Sequence, residues 1–265
     1  MMASAGKQRK LTRYSVLYRE GAIATCFYVL IGGSVLEHSL SPTWKEPPLK
    51  PGHTRPKGWR KDRRTLTCDR RSGCTFTLIG MEALVGRPRL STISVLDDCE
   101  LLKFQAADLN IRRDGADQIA RKVFNAFLEG ELAATSAFKG LATKALKQLV
   151  EMLVLEEHEA GTTLYGPGNP GDKVFVLMHG SVTVLKSKIQ IAALSAEQGQ
   201  ATSAEDGMPI FGHMALVDRG SLRRTSAVCA TDAKLLVLPL ESWASACMAV
   251  PDLKSRLRRV NEELG

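Results

Sequence analysis

Alternation of apolar and polar residues defines two separate regions of the chain. The first region predicts strands at residues 14–18, 26–36, 76–79, 90–95 and 100–104. The second region predicts strands at residues 162–165, 174–178, 181–185, 189–194, 226–230 and 234–239. These runs are rich in β-branched and aromatic residues and are bounded by glycine-containing turns, which is typical of short strands. The pattern therefore predicts two mainly β regions.

A different spacing separates the two β regions. Between residues 106 and 154, apolar residues recur at helical intervals, for example at Ile119, Val123 and Phe127. Glycines within this stretch divide it into at least two predicted helices. Residues 241–264 form a second predicted helical stretch, interrupted by a proline. We therefore predict a fold that is mainly β with flanking helices.

The two β regions share one sequence pattern. Residues 27–35 correspond to residues 174–182, because each runs from an aromatic, apolar strand into Gly-Ser-Val. A repeat of roughly 130 residues has the size of a whole domain, not of a solenoid unit. The chain therefore predicts two tandem copies of one β-rich domain, at residues 11–130 and 131–265.

Positive charge is concentrated in one segment of the first copy. The formal net charge is +8, and residues 43–71 hold ten Lys/Arg against three Asp/Glu. The same segment is rich in proline, which argues against a central strand. We predict a basic insert, residues 43–71, that forms a solvated loop. Binding of nucleic acid, acidic protein or an anionic membrane surface by its charges and tryptophans is the alternative.

Cysteine usage and the amino-terminal residues indicate the compartment. The six cysteines contain no CxxC pair, and three of them lie in apolar strand-like runs. Residues 1–13 are polar and basic, without the apolar region of a signal peptide. No apolar run approaches the roughly 18 residues that a membrane span requires. We expect a cytoplasmic protein without a membrane span.

One arrangement in each copy suits an anionic ligand, and we call it the cassette. It consists of a strand, a glycine, a short Ala-Leu turn and an arginine. Glycine allows close backbone approach, the turn offers unpaired N–H groups, and arginine can grip a phosphate through forked donors. The first cassette comprises Gly80, Glu82, Ala83, Leu84, Arg89 and Leu90. The second comprises Gly212, His213, Ala215, Leu216, Arg224 and Thr225.

Both cassettes resemble the phosphate cassette of the cyclic nucleotide-binding domain family, in which Phe-Gly-Glu-x-Ala-Leu precedes a loop and an arginine. The tandem arrangement is similar to that of the regulatory subunits of cyclic AMP-dependent protein kinase. The resemblance covers most of the chain outside residues 43–71. It implies a β jelly roll flanked by helices in each copy. It also implies cyclic AMP or cyclic GMP as the ligand, held by the glycine and arginine of each cassette, and no cofactor.

The cassettes depart from the family pattern at the residue that accepts the ribose 2′-hydroxyl. Met81 and His213 stand where the family has glutamate, and Glu82 lies one residue late. Neutral histidine can accept a hydrogen bond, whereas methionine is a weak acceptor. A poorly paired hydroxyl costs about 1–3 kcal/mol. In the second cassette, Arg223 is an alternative to Arg224 for the arginine's role.

No catalytic set accompanies the cassettes. The sequence has no nucleophile beside a base, no metal-ligand cluster and no glycine-rich loop followed by lysine. We expect a non-enzymatic regulatory protein that responds to a cyclic nucleotide and contacts a protein partner, such as a kinase catalytic subunit. Nucleic acid is not expected as a partner. The alternative function is a structural scaffold in a larger assembly, built from degenerate domains that bind no nucleotide.

Overall fold

The computed structural model describes residues 6–40, 60–68, 76–108, 118–196, 207–218 and 221–262. These residues belong to two compact units, Met1–Leu109 and Asn110–Gly265. Each unit contains antiparallel β-sheet and has its own core. Among the described residues, none of the helices combines the length and apolar character that a membrane span would need.

The described residues of the first unit form six strands that pair in one antiparallel sheet. They are β1 (Lys7–Leu11), β2 (Val16–Tyr18), β3 (Cys26–Leu40), β4 (Arg60–Cys68), β5 (Thr77–Ile79) and β6 (Thr92–Gln105). The order is β1-β6-β3-β4, with β2 also pairing with β6 and β5 also pairing with β3. A 3-10 helix at Met81–Val85 follows β5.

Strands β3 and β6 are long because each passes through two layers of the unit. Their register shifts repeatedly between Leu30 and Val35, on either side of Gly32 and Gly33. Gly33 has a φ of 93°, and a Cβ there would overlap the carbonyl of Asp98, so only glycine suits this bend. The first half of β3 pairs with β5, and its second half pairs with β4. Likewise, β6 pairs first with β2 and then with β1.

The described residues of the second unit form five α-helices, a 3-10 helix at Ser136–Phe138 and eight strands. The helices are α1 (Gln118–Ala134), α2 (Thr143–Met152), α3 (Met214–Val217), α4 (Leu240–Ala249) and α5 (Leu253–Glu262). The strands are β7 (Val154–His158), β8 (Thr163–Tyr165), β9 (Lys173–His179), β10 (Ser181–Lys186), β11 (Ile189–Ser195), β12 (Ile210–Phe211), β13 (Ser226–Cys229) and β14 (Ala233–Pro239). They form two four-stranded sheets, ordered β11-β10-β13-β8 and β12-β9-β14-β7.

The two units have the same strand topology. Strands β9 and β10, separated by Gly180, correspond to the two halves of β3, and β13 and β14 correspond to the two halves of β6. The remaining strands also correspond, β7 to β1, β8 to β2, β11 to β4 and β12 to β5. Eight antiparallel segments in two layers form a jelly roll. The predicted class, mainly β with two tandem jelly rolls and flanking helices, is confirmed.

Each core consists of the side chains that alternate strands direct between the layers. In the second unit, Phe175 and Leu177 on β9 belong to the same buried cluster as Val182 on β10 and Ala227 on β13. Because these strands come from both sheets, the cluster lies between the sheets. In the first unit the equivalent cluster includes Leu30, Val35, Val95 and Leu101.

Four strands lie outside the predicted strand ranges, and one of them corrects the basic insert. Residues 60–68, within the predicted loop 43–71, form β4 and pair with β3, so the loop prediction is wrong for these residues. Thr65, Leu66 and Thr67 suit a strand, and Cys68 is 2% exposed in the core. The other residues of the insert lie outside the described part of the chain.

Strands β1, β7 and β12 are the other three, and only the cassette pattern implied a strand before Gly212. The stretch predicted as helical, residues 106–154, ends as helix at Met152, and the following residues pair with β14. The domain limits 11–130 and 131–265 stay predictions.

Candidate ligand-binding site

The second cassette begins at a glycine that no other residue could replace without strain. β12 ends at Phe211, the next residue, Gly212, has a φ of 70°, and α3 begins at Met214. A Cβ at this position would lie 3.0 Å from Nη1 of Arg223. The positive φ and the close approach of the guanidinium both favour glycine. Gly212 therefore lets the backbone lie against Arg223, whereas its predicted contact with a ligand stays a prediction.

The arginine that approaches Gly212 is Arg223, which is only 4% exposed. Its Nη1 donates to the carbonyl of Gly212, and its Nη2 donates to the carbonyl of Lys173 at 2.7 Å. Nη2 also contacts Oδ1 of Asp172 at 3.2 Å. The guanidinium carbon lies 4.4 Å from the ring centroid of Tyr165, within cation–π range. Nε of Arg223 has no hydrogen-bond partner.

A cavity of about 510 Å³ opens beside this arginine. Of the predicted residues of the second cassette, it is lined by Gly212, His213, Ala215, Arg224 and Thr225. Arg223 and Lys186 add positive charge and Asp218 adds one negative charge. Apolar lining comes from strands β10 and β11, through Val184, Ile191, Ala192 and Leu194. The site therefore combines cationic groups with an apolar wall.

His213 lies in the cavity wall as a buried, unpaired polar side chain. The residue is 2% exposed, and neither Nδ1 nor Nε2 has a hydrogen-bond partner. Burial, and then the charge of Arg223, lower the pKa of His213 to about 4. At neutral pH its ring is therefore uncharged and offers one donor and one acceptor.

Arg224 is not the counterpart of Arg89, in contrast to the expectation from sequence. In the strand register, Ser226 and Thr92 hold corresponding positions, so Arg223 corresponds to Arg89 and Arg224 to Leu90. Arg224 is exposed and lines the cavity, whereas Arg223 is buried. The signal was present in the sequence, because Thr92 and Ser226 each lie three residues after the buried arginine.

Two other residues of the second cassette are placed differently. Leu216 is buried and lines a separate groove with Trp243, away from the lining of the cavity. Thr225 is half-buried and its hydroxyl is hydrogen-bonded to Tyr165. Burial raises the pKa of Tyr165, so its hydroxyl stays protonated. Sequence reasoning missed Tyr165, although Tyr18 occupies the same place in the first copy.

The first cassette repeats the glycine–arginine contact. Gly80 has a φ of 75°, and Arg89 is 2% exposed. Nη1 of Arg89 donates to the carbonyl of Gly80 at 2.9 Å, and Nη2 donates to the carbonyl of Cys26. The guanidinium carbon lies 4.1 Å from the ring centroid of Tyr18. The sequence therefore identified both members of this contact.

The remaining residues of the first cassette are largely buried. Ala83 and Leu84 belong to the 3-10 helix and are 6% and 4% exposed, and Leu90 is half-buried. Glu82 is 9% exposed, and its Oε1 lies 3.4 Å from Nη1 of Arg89. Burial raises the pKa of Glu82, and Arg89 opposes this shift. Because the turn is helical and not extended, Glu82 is directed to the arginine and not away from it.

Comparison with known families agrees with this geometry. The family model of the cyclic nucleotide-binding domain matches residues 155–249, which run from β7 to α4. The second unit is therefore similar to the cyclic nucleotide-binding domain family over these residues. Gly212, His213, Ala215 and Arg223 all lie within the matched residues. Among the described residues of both units, no group of three or more His, Cys, Asp or Glu side chains could hold a metal ion.

Curated relatives share part of their length with this chain. It is 26% identical over 172 residues to the cAMP-dependent protein kinase regulatory subunit of Aspergillus niger, covering 64% of this chain and 38% of that protein. It is also 26% identical over 141 residues to a CRP-like cAMP-activated global transcriptional regulator of Mycobacterium tuberculosis, covering 50% of this chain and 60% of the regulator. The chain thus spans less than two thirds of either relative.

Solved structures that resemble the chain include two regulatory domains. The regulatory domain of Toxoplasma gondii PKA with cAMP has a TM-score of 0.47 and 17% identity, covering 98% of this chain and 86% of that one. The regulatory subunit of a cAMP-independent protein kinase A from Trypanosoma cruzi, bound to guanosine, has a TM-score of 0.43 and 16% identity. The latter match covers 94% of this chain and 77% of the other.

Proposed function

We propose that this chain is a non-enzymatic, cytoplasmic regulatory protein that responds to a cyclic nucleotide bound in its second unit. The observation that carries the proposal is the cavity beside Arg223, which the residues of the family cassette line. A cavity of about 510 Å³ is within the usual range for small-molecule sites. Four described cysteines, Cys26, Cys99, Cys229 and Cys247, are free thiols, which supports a reducing compartment.

The charge distribution supports an anionic ligand. Among the described residues that line the cavity, Lys186, Arg223 and Arg224 are cationic and Asp218 alone is acidic. Each cation favours a phosphate, and the exposed Arg224 has its donors available to solvent. The apolar residues of β10 and β11 offer a surface for a purine base. We place the cyclic phosphate beside the two arginines and the ribose beside His213.

The proposed partner is a protein whose activity the bound nucleotide controls. Similarity to the Aspergillus niger kinase regulatory subunit favours a kinase catalytic subunit or a larger signalling assembly. A scaffold without nucleotide is the second candidate function. The buried pairing of Glu82 with Arg89 favours it for the first unit, because the arginine there already has an anionic partner.

Calorimetric titration of the whole chain tests the proposal. We expect heat on adding cyclic AMP or cyclic GMP, and weaker binding of adenosine and guanosine, which lack the phosphate. Arg223→Ala should abolish binding, and Arg224→Ala should weaken it about tenfold, since a charge-assisted hydrogen bond contributes about 1.5–3 kcal/mol. Lys147→Ala, an exposed charge on α2, is the matched control and should leave affinity unchanged. Absence of heat with all four compounds would favour the scaffold.

A second variant tests the role of His213. His213→Glu restores the family's acceptor for the ribose hydroxyl and should tighten binding of the cyclic nucleotides. His213→Leu removes both the donor and the acceptor and should weaken it. If both variants bind as the unaltered chain does, the ribose lies elsewhere in the cavity.

A further inference from the structure

The strand register shows which residues of the first unit correspond to the cavity of the second. Glu37 on β3 is paired with Ile93, and Val184 on β10 is paired with Ala227. Ile93 and Ala227 correspond because each is the partner of the tyrosine that lies over the arginine of its own unit. Glu37 therefore holds the position of Val184, an apolar residue of the cavity lining.

A second lining position is charged in the same way. Glu37 faces Arg64 on β4, and Val184 faces Ala192 on β11. Arg64 therefore holds the position of Ala192, which also lines the cavity. Nε of Arg64 lies 2.5 Å from Oε2 of Glu37. Two apolar wall positions of the second unit are thus an ion pair in the first.

Glu37 is also fixed from the cassette side. The hydroxyl of Ser91 donates to Oε1 of Glu37 at 3.0 Å, and Ser91 holds the position of Thr225 in the cavity lining. The Glu37 side chain is 13% exposed, so it lies within the unit. Its negative charge contributes to the raised pKa of Glu82, after the larger effect of burial, which places the two carboxylates within electrostatic range of each other.

The anionic partners of the two cassette arginines differ in exposure. In the first unit, Arg89 is paired with Glu82, whose side chain is 11% exposed. In the second unit, Arg223 is paired with Asp172, whose side chain is 58% exposed. Water and a ligand anion can compete with an exposed carboxylate for the arginine. Displacing a buried carboxylate from its arginine leaves a buried charge without a partner. Met214, which follows Gly212 as Glu82 follows Gly80, offers no charge.

We propose that the first cassette is occupied by its own side chains, and that the chain holds a single cyclic nucleotide, in the second unit. The proposal rests on the binding function proposed for the second unit. In the first unit, the Glu82 carboxylate is the anion on Arg89, while Glu37 and Arg64 fill the wall where a ligand would pack. An incoming phosphate would meet two carboxylates in place of an apolar wall and a neutral histidine.

Titration of the whole chain with cyclic AMP and cyclic GMP measures the number of sites. We expect one nucleotide per chain, and no remaining site in Arg223→Ala. Two nucleotides per chain, with one retained in Arg223→Ala, would overturn the proposal while leaving the function of the second unit intact.

A triple variant tests whether these side chains are the reason that the first unit binds no nucleotide. Glu37→Val, Arg64→Ala and Glu82→Met together give the first unit the residues of the second, and they should raise the stoichiometry from one to two. Glu100→Gln, which removes a carboxylate paired with Lys10 on β1, is the matched control and should leave one site. A swapped chain that keeps its second-unit site but gains none would contradict the proposed cause of closure.

Two further outcomes are also decisive. If the unaltered chain gives no heat, the proposed function of the second unit fails. In that case the triple swap is combined with Arg223→Ala, so that only the first unit can bind. A nucleotide site gained in this chain would show that the Glu82–Arg89 and Glu37–Arg64 pairs had prevented binding. The absence of a gained site would contradict the proposal. If the swapped chain does not fold, the single Arg223→Ala variant is the test. Loss of all nucleotide binding in that variant supports the proposal, and one retained site contradicts it.

Discussion

Arg89 and Arg223 make the same contact in different units, each donating from Nη1 to the carbonyl of its own cassette glycine. Each guanidinium also donates from Nη2 to a backbone carbonyl at the start of a core strand, and each lies over a tyrosine ring. The arginines therefore have a structural role that is present without any ligand. A variant at either position tests folding as well as binding.

Arg223→Ala should destabilise the second unit, whereas Arg224→Ala should not. Removal of Arg223 leaves the carbonyls of Gly212 and Lys173 without this donor, and a buried unpaired group costs about 1–3 kcal/mol. Arg224 is exposed, and substitutions at such positions usually change stability by less than about 0.5 kcal/mol. Urea unfolding of the two variants measures the difference. Equal losses would contradict the assignment of Arg223 as the buried arginine.

The cassette glycines should tolerate no side chain. Gly212→Ala combines a φ of 70° with a Cβ 3.0 Å from Nη1 of Arg223, and we expect a loss of about 1–3 kcal/mol. Gly80→Ala should lose at least as much, since its Cβ would overlap Arg89. Gly130→Ala is the control, because Gly130 lies within α1 with open space around it and alanine should add about 0.5–1 kcal/mol of stability. Thermal unfolding of the three variants ranks their stabilities.

His213 should make the second unit less stable in acid. Its pKa is about 4 in the folded chain and near 6.5 when unfolded, so between these values the unfolded state binds more protons. Stability from this group is therefore fully present above about pH 6.5 and falls as the pH approaches 4, by roughly 3 kcal/mol in total. Asparagine does not titrate, so in His213→Asn this contribution to the pH dependence of the unfolding free energy should be absent. Urea unfolding between pH 4 and 7.5 compares the two proteins, and parallel slopes would contradict the prediction.

Removing Arg89 should cost more when Glu82 is present. In Arg89→Met the Glu82 carboxylate is buried without its partner, and breaking a buried pair in this way costs about 3–5 kcal/mol. Glu82→Gln in the same chain should recover part of the loss, because a neutral amide is easier to bury. A double-mutant cycle on unfolding free energies measures the coupling, expected at about 1–3 kcal/mol. Additive losses would show that the pair is not coupled.

Much of the fold followed from sequence because it depends on residues whose spacing is informative. The match of residues 27–35 to residues 174–182 predicted two copies of one domain, and both have the same strand topology. β4 was missed because it lies next to proline-rich, basic sequence. Pairing with β3 and burial of Cys68 come from tertiary contacts that local patterns do not contain.

The site was harder to predict because it depends on register and charge. Arg223 and Arg224 are identical neighbours, and only pairing of the following strand shows which one is buried. The Glu82–Arg89 pair arises because the turn after Gly80 is a 3-10 helix, which directs Glu82 inward. A one-residue difference in a turn cannot be read from residue type alone.

The uninterrupted course of β3 and β6 has a consequence for how the first unit opens. In the second unit, Gly180 and the turn after β13 divide the corresponding strands, so each sheet has its own ladder of backbone hydrogen bonds. In the first unit a single pair of strands carries the ladder through both layers. Separating the strands in one layer therefore also strains the backbone hydrogen bonds in the other layer. Amide hydrogens along β3 and β6 should exchange with solvent together, in one cooperative step, whereas those of β10 and β14 can exchange at separate rates.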